Sequence, residues 1–255
     1  MANIRLLHDN LYTASATTLT ASSAATALPI EASQDIDRSY VWRSLTETGT
    51  QEIEIDLGSV LAVTSVAVAN VALVGTGVLE LYERGDGSSP GSATLVATLP
   101  TQNDDRRTAA AFFASQSHRH WQLKWTNPTA ASDYAELGYA HLGTYLEPTI
   151  NVSVPLPLEE IDPSAVRLSI DRQRRAATRT RYTVGRFVWA YLPDADRDNL
   201  RALWETAGVA RPLFAVLDTS LAWTSWLIYL TGSLEQMLEE VSGRYGVGLP
   251  WEEAT

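Results

Sequence analysis

Two short segments alternate apolar and polar residues without a break: Ile53-Glu54-Ile55-Asp56-Leu57-Gly58 and Arg119-His120-Trp121-Gln122-Leu123-Lys124-Trp125. Successive side chains of a strand point to opposite faces of its sheet, so this period predicts two strands, each with one buried face. Trp121, Leu123 and Trp125 would share one face, and Ile53, Ile55 and Leu57 another. Further short strand-like runs surround them, separated by Gly, Ser and Pro. They include Leu79–Arg84, the turn cluster Gly85–Gly91, and Thr94–Leu99. The first half therefore reads as a β-sandwich and not as an alternating βα enzyme fold.

The chain has 255 residues, 45% of them hydrophobic, with 8 Trp and 10 Tyr. This is enough for one large or two medium domains with a proper core. Formal net charge is −11. An acidic surface argues against specific nucleic-acid binding, which needs cations to displace phosphate counterions. There is no Cys, so neither a disulfide framework nor a Cys zinc site can form. No secretory leader is recognised at the N-terminus, and no apolar run reaches the roughly 20 residues of a membrane helix. A soluble product made in a cytoplasm is expected, with no membrane partner.

Pro148 to Pro157 is the predicted boundary, giving domains 1–147 and 148–255. Within the first, Gly58-Ser59 is read as a turn between the strand Gln51–Leu57 and the Val-rich strand 60–71. Phe112-Phe113 and His120–Trp125 are read as separate strands. Ala14–Ala27, almost all Ala, Ser and Thr, is read as an extended surface segment, and Asp35–Tyr40 as a loop with a helical turn. Leu137, Tyr139 and Tyr145 are expected core contacts. The second domain is predicted to be a small β-barrel-like or α+β unit with one helix over about 194–207. Leu200, Leu203, Trp204 and Ala207 form its apolar stripe, acidic residues lie near its N-terminus, and Gly208 ends it. Phe187, Trp189 and Tyr191 are expected on one face of the strand Tyr182–Tyr191. Strands are expected over 213–217, 223–231 and 245–250.

Catalytic patterns are absent. The four His (His8, His118, His120, His141) lack the spacing of a zinc helix, and there is no nucleophile elbow, P-loop or dinucleotide Gly pattern. His118 and His120 share a strand side and could hold a metal with Asp104 or Asp105, but ordinary surface or packing roles are favoured. Adjacent carboxylates such as Glu159-Glu160 diverge on a strand and read as solvated charge. No catalytic residue, metal site or cofactor is expected, and the protein is expected not to be an enzyme. Trp42, Trp121 and Trp125 could be sugar platforms, with core packing preferred; of Trp223 and Trp226, one is expected to face solvent or a partner.

One basic run stands out in this acidic chain, Arg172 to Arg181. Arg172, Arg174, Arg175, Arg179 and Arg181 are read as an interface arm that pairs with carboxylates of another copy.

The first half resembles the discoidin, or coagulation factor 5/8 type C, domain of the galactose-binding-like superfamily. The matching residues are Val41-Trp42-Arg43-Ser44, Ile53–Gly58, the Val63–Val68 strand and Arg119–Lys124. The resemblance implies an eight-stranded jelly roll. The chain lacks that family's terminal Cys pair and acidic calcium loop, and no glycan-binding residue is assigned. The second half resembles distal or minor tail-tip proteins of tailed bacteriophages through Gly185–Trp189, the helix, Arg211–Val216 and Tyr245–Leu249. Together they imply a non-enzymatic virion protein, assembled in the host cytoplasm. It would form a homo-oligomeric ring that joins tail tube to baseplate and contacts tube and hub proteins, with the sandwich displayed outward. The alternative is a carbohydrate-binding adhesin module, with host glycans as partner.

Overall fold

The computed structural model describes residues 3–37, 40–45, 49–71, 77–87, 89–100, 108–127, 134–168, 174–218, 224–238 and 245–254, with only the backbone at 127, 167, 168, 174, 175, 237 and 238. In chain order the strands are β1 (Arg5–Leu7), β2 (Thr18–Ala21), β3 (Trp42–Arg43), β4 (Gly49–Ala69), β5 (Val78–Glu83), β6 (Thr94–Leu99), β7 (Ala109–Asn127), β8 (Glu136–Leu137) and β9 (Tyr139–Gly143). Then follow β10 (Leu158–Ile161), β11 (Ala165–Leu168), β12 (Arg174–Ala177), β13 (Tyr182–Leu192), helix α1 (Asp194–Ala207), β14 (Leu213–Val216), β15 (Ser225–Leu230), β16 (Glu235–Leu238) and β17 (Tyr245–Glu253). A 3-10 turn spans Ile30–Gln34, a few residues earlier than the turn expected near Asp35. The molecule is mainly β with sandwich sheets, as the alternation predicted. Among the described residues, no helix is long and apolar enough to cross a membrane.

Two compact units form. Unit 1 gathers residues 1–147 with 213–227, and unit 2 gathers 148–212 with 228–255. The expected second domain included 213–227. That segment is drawn into unit 1 because β14 pairs antiparallel with the N-terminal strand, Leu6 opposite Ala215 and Leu7 opposite Phe214. Phe214 is fully buried there, stacked on Tyr139 with centroids 6.1 Å apart.

Unit 1 is a β-sandwich whose main sheet runs β2-β4-β7-β5-β6, with β9 also on β4. Ile53, Ile55, Leu57, Leu79, Leu81, Trp121, Leu123 and Trp125 fill its core together with Trp42, whose ring lies 5.4 Å from that of Trp125. The tryptophans that could have been sugar platforms are therefore core residues. Leu137 and Tyr139 are buried as expected, whereas Tyr145 is only partly covered and stands edge-on to Phe112. The expected turn at Gly58-Ser59 is a bulge inside one strand of 21 residues: the register with β7 shifts between Asp56 and Leu61. Gly58 adopts φ +76, a left-handed conformation that glycine takes without Cβ strain, and its N–H donates to Asp56 Oδ1 at 2.8 Å. The two expected strands at 112–113 and 120–125 are likewise one continuous β7. A bulge bends a strand while keeping most of its ladder, which is cheaper than ending two strands and starting two more.

Unit 2 is built on β17, which pairs with β13 along most of its length and also takes β16 and residues 228–230 of β15. β10 lies on the far side of β13. Phe187 and Trp189 are buried, but Tyr191 is exposed. The register shifts between Trp189 and Leu192, and Tyr191 takes φ +61, so Leu192 replaces it inside. The helix runs as predicted. Leu200, Leu203 and Ala207 are buried and Trp204 is partly covered, with its Nε1 donating to Gly232 O at 3.1 Å. Asp196 is buried in the first turn and accepts from the N–H and Oγ1 of Thr149. β16 had no forecast, because Glu235-Gln236-Met237-Leu238 carries no alternating apolar face.

Candidate functional site

β11 and β12 form a two-stranded ribbon that, among the described residues, joins no larger sheet. It prolongs the β10–β13 pair: the last register pair there is Ile161 opposite Tyr182, and the ribbon resumes with Ala165 opposite Ala177. Ala165, Val166, Ala176 and Ala177 are exposed on it. An isolated two-stranded hairpin is marginal in water, because it buries little apolar surface.

The predicted arginines fall on or beside this ribbon. Arg172 lies outside the described residues. Arg174 and Arg175 occupy β12 positions opposite Leu168 and Arg167. Like charges at directly opposed positions disfavour a ladder unless counter-charge is supplied. Arg179 is exposed, with its backbone N–H donating to Ser164 Oγ at 2.9 Å. Arg181 donates to Asp162 Oδ2 at 3.2 Å in an exposed pair, which contributes little to stability.

At the base of the ribbon, one face of unit 2 holds a groove of about 540 Å³ lined by residues of β10, β13 and β17. Glu159, Val184 and Glu252 form a row across the three strands, since Val184 is opposite both glutamates in register. Pro250 and Arg186 form the adjoining pair. Arg186 is neutralised by Glu235 and lies over Gly248. Glu159 and Glu252 take part in no salt bridge among the described residues. The alternate positions Leu158, Gly185 and Trp251 also line the groove, Leu158 exposed and Trp251 buried. There a Cβ on Gly185 would stand 2.6 Å from Trp251 Cζ2, so only glycine lets the indole lie against the backbone.

In unit 1 the solvent side of the main sheet is polar. Glu54 Oε1 accepts from Gln122 Nε2 at 2.8 Å and from Arg84 Nη1. Burial raises the Glu54 pKa, and the Arg84 guanidinium opposes that rise. Lys124 Nζ stands 5.4 Å over the Tyr82 ring, and Tyr82 Oη donates to Glu80 Oε2. Asp56 is held at about pKa 2, first by the hydrogen bonds from Arg119. His120 Nε2 lies 2.8 Å from Gly87 O, and His118 Nδ1 lies 2.9 Å from Asp86 Oδ1. The two His are thus each tied to the 85–91 turn. Asp104 and Asp105, their proposed metal partners, lie outside the described residues. Among the described residues no three His, Asp or Glu side chains are placed to hold a metal ion. Of the tryptophans near the C-terminal half, Trp226 is buried and Trp223 lies outside the described residues.

Neither the groove nor the carboxylate row was visible in the sequence. Glu159 and Glu252 are 93 positions apart, and each looked like half of a solvated Glu-Glu pair.

No family model matches the chain, and no curated protein does. Among solved structures it is similar to chitosan-binding module 1 of a chitosanase/glucanase from Paenibacillus sp. IK-5, with 21% identity over 54% of this chain and 100% of that one, TM-score 0.46. It is also similar to CpGH89CBM32-5 from Clostridium perfringens, solved with GalNAc-beta-1,3-galactose, at 15% identity over 53% and 100%, TM-score 0.43. The family 32 carbohydrate-binding module of C. perfringens NanJ, solved with galactose, gives 16% over 56% and 99%, TM-score 0.41.

Proposed function

We propose that the protein is a non-catalytic structural component that works by assembling with copies of itself. The tip of a bacteriophage tail, between tube and baseplate, is the assembly to which the resemblance of the second half points. The observation that carries the reading is the β11–β12 ribbon. It exposes Val166 and Ala176, sets two arginine positions opposite each other, and among the described residues is backed by no third strand. A neighbouring copy of this acidic chain would cover exposed Val166 and Ala176 and bring carboxylates to the arginine positions. Sedimentation velocity and negative-stain electron microscopy of the full chain test this. Closed rings or defined oligomers are expected, with Arg179→Glu/Arg181→Glu shifting the chain toward monomer. Monomers at all concentrations refute it.

A second reading, carbohydrate binding by unit 1, rests on the sheet face around Tyr82. There an aromatic ring and several carboxylates share one side of β4, β5 and β7. Such a mixture can stack on a sugar ring and hydrogen-bond its hydroxyls. A glycan array probed with the full chain should then show binding that Tyr82→Ala removes. An array without signal leaves the assembly reading alone.

A further inference from the structure

The ribbon needs somewhere to dock, and unit 2 carries a groove of matching chemistry. The groove displays Glu159 and Glu252 on either side of Val184, and Arg186, the one cation among its described lining residues, is paired with Glu235. Two strand spacings separate the carboxylates, about 10 Å, so a guanidinium entering above Val184 is within side-chain reach of both. The opposite partner is Arg179, exposed and in no salt bridge among the described residues. Within one copy Arg179 precedes Val184 by five residues, and it forms no salt bridge with Glu159 or Glu252 among the described residues.

We infer that the groove between β10, β13 and β17 receives the Arg179 segment of a second copy of this chain. This rests on the assembly reading above and names the surface it uses. Such a contact is heterologous, head to tail: each copy gives one arm and accepts another, which is the geometry that closes rings.

The chain has no cysteine, so an introduced pair reports only itself. Full-length Arg179→Cys is mixed with full-length Glu252→Cys and treated with a short bismaleimide. The expected result is a two-chain product far stronger in the mixture than in either sample alone. In parallel, Glu252→Arg should weaken self-association about tenfold or more, and adding Arg179→Glu to that background should restore part of it, as for a close charge pair. If Arg179→Glu weakens self-association while the mixed crosslink is absent and Glu252→Arg has no effect, the arm docks elsewhere and the groove assignment is overturned by itself. If the unmodified chain is monomeric at all concentrations, the assembly reading falls and takes the groove with it; if the chain assembles and Arg179→Glu leaves that assembly unchanged, only the groove assignment is overturned. The crosslink does not depend on the charge-reversed variants folding.

Discussion

Arg119 grips Asp56 through both carboxylate oxygens, Nε to Oδ1 and Nη2 to Oδ2, each at 2.7 Å. The two residues come from the two alternating segments that first marked the chain as a sandwich. Planar, bidentate pairing of this kind fixes geometry as well as charge. It locks β4 to β7 where their register slips, because Asp56 also accepts the N–H of the bulged Gly58.

That pair should leave a signature in acid. The folded Asp56 carboxyl sits at about 2 against an ordinary 3.8. A carboxyl with a depressed folded pKa contributes fully above its unfolded value and loses that contribution as pH falls through the folded one. Asp56→Asn should therefore flatten the pH dependence of unfolding between about pH 4 and 2. At neutral pH it should cost on the order of 1 kcal/mol, the modest value proper to a solvent-accessible pair. Urea titrations across this range measure both effects; an unchanged acid slope would count against the pair.

His141 should make the protein acid-labile at a higher pH. Its ring is fully buried with Nε2 unpartnered, and desolvation holds its pKa at about 3. His8, also lowered by burial, adds a like charge when protonated. The unfolded ring takes a proton near 6.5 and the folded one does not. Stability is therefore complete above pH 6.5 and declines as pH falls toward 3, by up to about 1.4 kcal/mol per pH unit. His141→Leu is expected to remove most of this slope in melting temperatures taken from pH 7 to 4. A variant with the wild-type slope would assign the lability to other groups.

Gly185 should tolerate no side chain. A Cβ there meets Trp251 Cζ2 at 2.6 Å and Cε2 at 2.8 Å, and Trp251 is itself stacked on buried Phe187 at 5.2 Å. Overpacking of this kind costs about 1–3 kcal/mol. Gly185→Val should lower the thermal midpoint of unit 2 and alter the tryptophan fluorescence, while Gly185→Ala should have the smaller effect. Equal stability of all three would show that the ring can move.

Asp196 should stabilise unit 2 through Thr149. Its Oδ2 accepts the Thr149 N–H at 2.8 Å and Oγ1 at 2.5 Å, and the carboxylate is buried. Asp196→Ala strips both donors of their acceptor at once, with an expected loss of about 1–3 kcal/mol in chemical denaturation. Asp198→Ala, on the exposed side of the same turn, is the control and should change little.

Local sequence pattern by itself determined the mainly β class and the buried Trp121 and Trp125, through alternation, and the helix with its end at Gly208, through its apolar stripe. Each of these follows from local period or local capping, which a sequence states directly. The basic run was also visible at once, because a charge run needs no fold to be seen; Arg174 and Arg175 fall on β12, and Arg179 and Arg181 just beyond it. Other features were decided only in three dimensions. Gly58 became a bulge and not a turn because β7 was there to keep pairing beyond it. Leu213–Val216 joined the first unit because the strand Arg5–Leu7 offered it a ladder. Tyr191 left the core because a register shift placed Leu192 there instead. The Glu159–Val184–Glu252 row exists because three strands distant in sequence lie side by side. Strand pairing is a contact between remote segments, and its partner and register are set by the competition of every edge in the folded molecule.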